Sequence, residues 1–243
     1  MMRPAILVAH QPAYLPWSGY FARLLDVDRL VLLDHVQFAE RGRQHRNVIL
    51  APTGGKLRLT VPVRRRFGQP INAVHIADQP WAVKHWRAIE QAYRTAPFWS
   101  MFGPPLTSIY ERPWALLVDL NIALTRFVLD ALGLPVTLLR SSGIRPEGAK
   151  TEMLVDLCRR LDANTLRIGM GGSRNYLCPD VITQAGVTVE CAAYTHPPYP
   201  QRRGPFTPDL AAIDLLLWCG PDGARQVLRD GSYVHPWIPG DSR

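Results

Sequence analysis

A histidine at residue 10 directly follows a short apolar run, AILVA at residues 5–9. A second apolar run, RLVLLD at 29–34, ends in Asp34. Runs of this length are typical of buried strands. A carboxylate that holds one imidazole nitrogen leaves the other free to accept a proton at neutral pH. His10 and Asp34 are therefore candidate catalytic residues, with His10 as a general base oriented by Asp34.

The segment between these two strands determines whether the two side chains meet. Residues 16–25, PWSGYFARLL, predict a short helix that begins near Pro16. Strand, helix and strand together predict a right-handed βαβ unit with parallel strands. Ligands of open α/β sheets bind at the carboxyl ends of such strands. We therefore expect His10 and Asp34 to be neighbours at that edge.

The remaining periodicity indicates an α/β fold for the whole chain. Strands are predicted at 56–63, 135–139, 165–170 and 187–194, and helices at 81–95, 113–132, 149–161 and near 208–218. The proline-rich stretch 197–208 predicts an ordered loop. We expect a single domain over 1–243, with a mostly parallel central sheet flanked by helices and a small β excursion near 48–76.

Composition restricts the class of protein. Hydrophobic residues make up 47% of the chain and charged residues 20%, which is a globular composition. No apolar run approaches the roughly 18 residues of a membrane span, and the N-terminus lacks the pattern of a secretory signal. We therefore expect a cytoplasmic protein. The four cysteines have neither metal-ligand nor redox spacing, so reduced thiols and no metal site are predicted.

Several loop residues have the chemistry of ligand binding. The glycines of GMGGSRNYL at 169–177 allow the backbone to approach a ligand, although a tight turn would explain them equally. Ser141 follows a strand at the same sheet edge, and the aromatic residues at 14, 17 and 20 can stack on a sugar or base or form a local core. The net charge of +8 is concentrated in residues 41–66. These arginines form either a phosphate site or a solvated face, and no nucleic-acid-binding motif accompanies them.

In combination, four blocks resemble the WbqC-like protein family, which is associated with bacterial O-antigen and related biosynthetic gene clusters. They are HQPAYLPWSGYF at 10–21, LLDHVQFAERGRQHRNVI at 32–49, GGSRNYL at 171–177 and FTPDLAAIDLLLWCG at 206–220. The resemblance covers nearly the whole chain. The residues that match its motifs include His10, Gln11, Pro12, Tyr14, Leu15, Pro16, Trp17, Gly19, Tyr20, Asp34, Gln37, Arg46, Asn47, Gly171, Gly172, Tyr176, Gln201 and Asp214. His35, Cys178 and Trp218 depart from the family pattern, and a second carboxylate at position 35 is missing here.

The resemblance implies modification of amino sugars or natural-product amines. The expected activity is N-acyl transfer, with an aminoacyl or glycyl unit supplied as a carrier-bound thioester and no tightly bound cofactor beyond a phosphopantetheine-linked donor. The expected partners are a small-molecule amine and an acidic acyl or peptidyl carrier protein, without nucleic acid. The expected substrate-binding residues are Gln11, Tyr14, Trp17, Tyr20, Gln37, Arg46, Asn47, Ser141, Gly171, Gly172 and Tyr176. An oxyanion would bind Gln11, Asn47 or the backbone N–H groups near Gly171 and Gly172.

Three other functions remain open at this point. The first loop is faintly similar to the histidine loop of adenylylating enzymes of the pantoate–β-alanine ligase type, which favours an ATP-dependent ligase or nucleotidyltransferase. Ser18 stands where those enzymes have a second histidine, which argues against it. A cysteine paired with His10 would give a thiol nucleophile. A non-catalytic protein that binds sugar nucleotides would use the same aromatic and basic residues.

Overall fold

A six-stranded sheet lies at the centre of the computed structural model, which describes residues 5–171, 176–202 and 204–239. The strands are β1 Ile6–His10, β2 Arg29–Leu32, β3 Arg46–Leu50, β4 Lys56–Thr60, β5 Val63–Arg64, β6 His75–Ile76, β7 Thr137–Arg140, β8 Thr165–Gly169, β9 Thr188–Tyr194 and β10 Ser232–Pro236. In the central sheet the order is β10-β9-β8-β1-β2-β7. All neighbours are parallel except β10 and β9. The prediction of a mostly parallel sheet is confirmed.

Helices cover both faces of this sheet. They are α1 Ser18–Ala22, α2 Trp81–Tyr93, α3 Trp99–Glu111, α4 Leu117–Ala131, α5 Ser141–Ile144, α6 Lys150–Arg160, α7 Pro179–Gln184 and α8 Ala212–Gly231. Because alternate strand residues point to opposite faces, Leu7 and Val8 enter different cores. Val8 packs in a large core with α1, α4 and α8, and Leu7 packs in a smaller one with α6 and α7. This doubly wound arrangement agrees with the predicted fold class.

The structure differs from the sequence prediction in several elements, among them the short helices α5 and α7, which were not predicted. The excursion near 48–76 contains two separate antiparallel hairpins, β3–β4 and β5–β6. Helix α3 was not predicted because Pro104 and Pro105 interrupt its pattern. Strand β10 was missed as well, since it is an antiparallel edge strand that ends at Pro236, a position that tolerates proline.

The final helix is longer than its pattern predicts, because two helical segments join at a kink. Gly220 has a φ of 68° within α8, and Pro221 follows it. The side chain of Phe98 supplies a second reason for glycine there, because a Cβ at Gly220 would lie 2.4 Å from its ring. Residues 197–208 contain no regular element within the described positions, as predicted.

A crevice opens between two neighbouring strands at their carboxyl ends. Strand β1 pairs with β2 along four residues, through His10 opposite Leu32. It pairs with β8 only at Ile6 and Leu7. The chain places β2 and β7 on one side of β1 and β8 and β9 on the other, so this is the point where the winding direction reverses. Open α/β sheets bind ligands at such a switch point.

Candidate active site

A cavity of about 310 Å³ occupies this crevice. Its volume is at the lower end of the range for small-molecule sites. The polar part of the lining is His10, Gln11, Arg23, Gly169, Gly171 and Tyr176, and the apolar part is Ala9, Leu33, Leu154, Leu166 and Ile168. Four predicted site residues therefore share one cavity: His10, Gln11, Gly171 and Tyr176. Gly172, also predicted, lies outside the described residues.

The imidazole of His10 has one nitrogen bound and one available. Its Nδ1 lies 2.7 Å from the backbone carbonyl oxygen of Gln11. Because a carbonyl oxygen can only accept, Nδ1 carries the hydrogen of the neutral ring and Nε2 holds a lone pair. Burial and the positive charge of Arg23 lower the pKa of His10 to about 4, and the hydrogen bond to the Gln11 carbonyl offsets only part of this effect. The ring is thus unprotonated at neutral pH.

An aromatic ring fixes the position of this imidazole from the side. The rings of His10 and Tyr20 meet edge to face, with centroids 4.9 Å apart. Tyr20 is buried, which raises the pKa of its hydroxyl, and the hydroxyl oxygen has no hydrogen-bond partner within the described part of the chain. Tyr20 does not line the cavity and instead packs against His10, the candidate base.

Two side-chain amides are linked in series beside the cavity. The backbone N–H of Ala39 donates to Oε1 of Gln44 at 2.8 Å, which leaves the NH₂ of Gln44 to donate to Oε1 of Gln11, also at 2.8 Å. The side-chain oxygen of Gln11 is thereby occupied as an acceptor. Its own NH₂ group remains a donor on a residue that lines the cavity.

Arg23, at the end of α1, forms the cationic part of the lining. Its guanidinium lies against the backbone of Gly169, at the end of β8. A Cβ added to Gly169 would stand 2.1 Å from Nη2 of Arg23 and 2.4 Å from its Cζ. Burial lowers the pKa of Arg23. The absence of a side chain at 169 is what leaves room for the guanidinium.

The pairing of His10 with Asp34 is a wrong prediction. The Asp34 carboxylate is fully buried and receives Arg140 Nε at 2.7 Å, the Ser142 backbone N–H at 2.8 Å and the Ser142 hydroxyl at 2.7 Å. These hydrogen bonds and the arginine overcome the effect of burial and lower the pKa of Asp34. No hydrogen bond joins His10 to Asp34, both of which the structure describes. Strand β7 brings the partners of Asp34 from the side of β2 away from β1.

Ser141 belongs to the same structural cluster as Asp34 and does not line the cavity. Its hydroxyl donates to Asp34 Oδ1 at 3.1 Å and lies 2.5 Å from Nδ1 of His35. The backbone N–H of Asp34 lies 3.1 Å from the same oxygen. The cluster ties the end of β2 to α5. Its role is to hold the sheet edge in place, and the prediction of Ser141 as a binding residue is corrected accordingly.

Two predicted aromatic binding residues lie elsewhere. Tyr14 is fully buried, and its hydroxyl contacts His85 at 2.8 Å and Tyr110 at 2.7 Å. It is thus part of the core, the alternative that the sequence left open. Trp17 is half-buried and packs with Tyr194 and His196, and the guanidinium of Arg43 lies 5.9 Å from its ring centroid. Neither residue lines the cavity.

The residues predicted in the second block also have other partners. Gln37 is exposed and forms a backbone bridge with Pro70. Arg46 donates to the carbonyl of Arg41 at 2.6 Å. Asn47 is buried, accepts from the N–H of Val48 at 2.9 Å and donates to the carbonyl of Leu15 at 2.5 Å. Because its amide groups are used for structure, Asn47 does not provide the oxyanion donor, and that prediction is corrected.

Sequence reasoning missed Arg23 and the part played by Gly169. One signal was present: Arg23 is the only charged residue between His10 and Asp26, within a segment that is mostly apolar and aromatic. Charged residues are rarely buried without a reason. The role of Gly169 had no such signal, since its contact with Arg23 depends on how β8 lies against α1.

Thiol and metal chemistry receive no support from the described residues. None of the four cysteines lines the cavity. Burial raises the pKa of Cys158 to about 12 and that of Cys219 to about 11, so both are poor nucleophiles. Within the described ranges no group of three or more His, Cys, Asp or Glu side chains is placed to hold a metal ion. In the same ranges, no helix combines the length and apolar character needed to cross a membrane.

Together, the open doubly wound sheet and its switch-point crevice define an α/β protein with a cavity beside a neutral histidine. The chain belongs to the WbqC-like protein family, whose model matches residues 11–226. It is 32% identical over 216 residues to "Uncharacterized protein Rv1507c" of Mycobacterium tuberculosis (strain ATCC 25618 / H37Rv), a match that covers 87% of this chain and 93% of that protein. No solved structure matches the chain.

Proposed function

We propose that the protein is an amide-forming N-acyltransferase that acylates an amine of an amino sugar or natural-product intermediate from a carrier-bound thioester. One observation carries this proposal: His10 lines a switch-point cavity with a neutral imidazole whose Nε2 has no hydrogen-bond partner among the described residues. A general base needs an available lone pair at the operating pH and a position within reach of the reacting group. His10 meets the first requirement, and its place in the crevice between β1 and β8 puts it within reach of a bound substrate.

The proposed reaction needs no nucleophile from the protein. The nitrogen of the acceptor amine attacks the thioester carbonyl, a C–N bond forms and the C–S bond breaks. His10 Nε2 takes the proton released by the attacking nitrogen, and the thiolate leaves and is then protonated. Positioned proton transfer of this kind contributes roughly 10² to 10⁴ in rate. The backbone carbonyl of Gln11 orients the imidazole, the role first expected of Asp34.

The oxyanion of the tetrahedral intermediate requires a donor that is already in place. We assign this role to the NH₂ of Gln11, because the amides of Gln44 and Gln11 are aligned in one direction. A preorganised donor in an enclosed site stabilises developing charge more than water does. The backbone N–H of Gly171 is a further candidate because Gly171 lines the same cavity.

The surface of hairpin β5–β6 fits an acidic carrier protein as donor. Arg64, Arg65 and Arg66 line an open cleft of about 720 Å³, next to Phe67, whose side chain is 98% exposed. Arg65 forms an ion pair with Glu40, so part of this charge is already neutralised. A basic surface around an exposed aromatic ring is suited to an acidic partner, and electrostatic attraction raises the rate of encounter.

The test is product formation from a panel of acyl thioesters, including glycyl, with amino sugars as acceptors, followed by mass spectrometry. We expect amide product from the wild type and a loss of about 10² or more in rate for His10→Gln, with an unchanged melting temperature. A carrier-bound donor should have a lower KM than the corresponding pantetheine thioester. Full turnover in the His10→Gln variant would exclude the scheme, and equal KM values would remove the carrier from it.

A second function, an ATP-dependent ligase or nucleotidyltransferase, is favoured by one observation. The parallel strands are ordered as in doubly wound nucleotide-binding sheets, with the cavity at the switch point where those sheets bind nucleotides. The same panel supplemented with ATP separates the two functions, because a ligase forms product from the free acid and releases AMP or ADP. Tight binding of a sugar nucleotide without any product, equal in His10→Gln, would instead indicate a binding protein.

A further inference from the structure

We propose that Arg23 receives an oxyanion of the substrate, a carboxylate or a phosphate, and that the arrival of this negative charge makes His10 a stronger base. The binding part stands on the cavity alone. The activation of His10 rests on the proposed function. The inference names a chemical class for the ligand and assigns a role to a residue that the sequence motifs did not indicate.

Arg23 is a largely enclosed cation without a counter-charge among the residues that the structure describes. Its Nε is buried and has no hydrogen-bond partner, and no carboxylate of the described chain lies within ion-pair distance of its guanidinium. The neighbouring residues 172–175, GSRN, contain no carboxylate by sequence. Burying an unpaired charge is unfavourable, so buried charges are normally paired. A guanidinium that lines a cavity in this condition is suited to a ligand that brings the missing charge.

A second arginine in the same region shows what a structural arginine looks like in this protein. Arg167 of β8 is buried, and its Nε donates to Glu190 at 2.7 Å. Its Nη1 donates to the carbonyls of Arg23 at 3.2 Å and Leu25 at 2.5 Å. Arg167 therefore holds the backbone that carries Arg23. The pairing that Arg167 has and Arg23 lacks separates a structural role from a ligand-binding one.

The strand end is shaped to keep this guanidinium at the cavity. Gly169 lies so close to Nη2 and Cζ of Arg23 that no side chain fits between them. The planar guanidinium can bind both oxygens of a carboxylate or two of a phosphate in parallel. The tight fit against bare backbone gives it one position.

His10 is sensitive to the same charge because it lines the same cavity. The groups that face the imidazole are Arg23 and Tyr20 from α1, and Tyr176 also lines the cavity; of these only Arg23 is charged. Its positive charge is one of the causes that lower the pKa of His10. An oxyanion on Arg23 neutralises that charge, so the pKa of His10 should rise toward its ordinary value. The base would then strengthen only when substrate is present.

The test uses the full chain with inorganic phosphate and, separately, acetate as probes. Binding is followed by calorimetry, and the imidazole of His10 by NMR. The variants are Arg23→Met and, as a matched control, Arg126→Met, since Arg126 is exposed on α4 and away from the cavity. We expect one of the probes to bind the wild type and the control equally, and to bind Arg23→Met about tenfold to hundredfold more weakly. The tighter probe identifies the oxyanion.

Two further readouts exclude a merely structural role for Arg23. Because Arg23 pairs with no carboxylate in the described part of the chain, Arg23→Met should keep or raise the melting temperature, whereas removal of a paired arginine would lower it. Saturation with the bound probe should raise the pKa of His10 in the wild type and leave it unchanged in Arg23→Met. Equal probe affinity in both proteins, or a His10 pKa that does not respond to the bound probe, would overturn the proposal.

The outcome is independent of the proposed function. His10→Gln should still bind the probe, since the guanidinium supplies the main contact. Failure to find any acyltransferase product would thus leave the oxyanion site standing, and loss of the oxyanion site would leave the test of His10 in turnover unaffected.

Discussion

Addition of a single methyl group at Gly169 should empty the oxyanion site without changing the arginine itself. In Gly169→Ala the new Cβ would lie 2.1 Å from Nη2 of Arg23. Non-bonded carbon atoms are most stable near 3.5–4.0 Å, so the guanidinium must move by roughly 1.5 Å. It is the end of a flexible side chain, and Gly169 has no positive φ that would strain alanine. The arginine should move and the strand should stay.

The size of the effect follows from the contacts that are lost. A hydrogen bond to a charged group contributes about 1.5–3 kcal/mol, which corresponds to about tenfold to hundredfold in affinity. We therefore expect phosphate or acetate to bind Gly169→Ala within about threefold of its affinity for Arg23→Met. The free energy of unfolding should change by no more than about 1 kcal/mol, because alanine is a better strand residue than glycine and offsets part of the local rearrangement.

The assay is calorimetric titration of the probe, together with thermal unfolding of each variant. The control is Gly143→Ala, since a Cβ at Gly143 has no heavy atom within 4 Å and the residue is exposed. This control should bind the probe like the wild type. If Gly169→Ala retains wild-type affinity, the guanidinium is not the receptor for the oxyanion and the reasoning from its position is refuted.

Two predictions concern stability. Asp34→Asn should lower the free energy of unfolding by about 2–3 kcal/mol, because it removes the charge that receives Arg140 and the Ser142 donors. Probe binding should stay unchanged. A urea unfolding curve that superimposes on that of the wild type would contradict the structural role of Asp34. The second prediction concerns pH, because burial lowers the pKa values of His10 and His85 to about 4. Between pH 6.5 and 4 the unfolded chain therefore takes up protons that the folded chain does not. The free energy of unfolding should fall as the pH falls, by at most about 3 kcal/mol for each histidine. Asp214, whose pKa burial raises to about 6, acts in the opposite sense in this range, so the measurement is the difference in pH dependence between wild type and His10→Gln, which should be less steep in the variant.

The strands at the centre of the fold were predictable because their signal is local. Strands β1 and β2 are apolar except for one terminal residue each, as expected for strands buried on both faces. The parallel arrangement of β1 and β2 followed from the short helix between them, and the structure confirms it. Where proline enters a helix, as in α3, the local signal is misleading, and packing of Phe102 and Leu106 in the core maintains the element.

The composition of the cavity shows the limit of such reasoning. His10, Gln11, Gly171 and Tyr176 were predicted because histidine and amide chemistry and glycine loops at strand ends are visible in one dimension. The identity of the neighbours of each residue depends on strand order. A βαβ unit places β2 beside β1, but it does not determine which strand pairs with the other edge of β1 or with the other edge of β2.

The sequence alone determines that an imidazole, which can be neutral at physiological pH, lies at the carboxyl end of a buried parallel strand. Tertiary structure decided the rest. Strand β7 pairs with β2 and places Arg140 beside Asp34, so the Asp34 carboxylate forms a structural ion pair at the sheet edge. Strand β8, arriving on the free side of β1, places Gly169 against Arg23 and leaves a cation beside His10 instead of a carboxylate. The physical reason is that charge pairing depends on distances across neighbouring strands, which residues far apart in sequence establish only when the sheet is assembled.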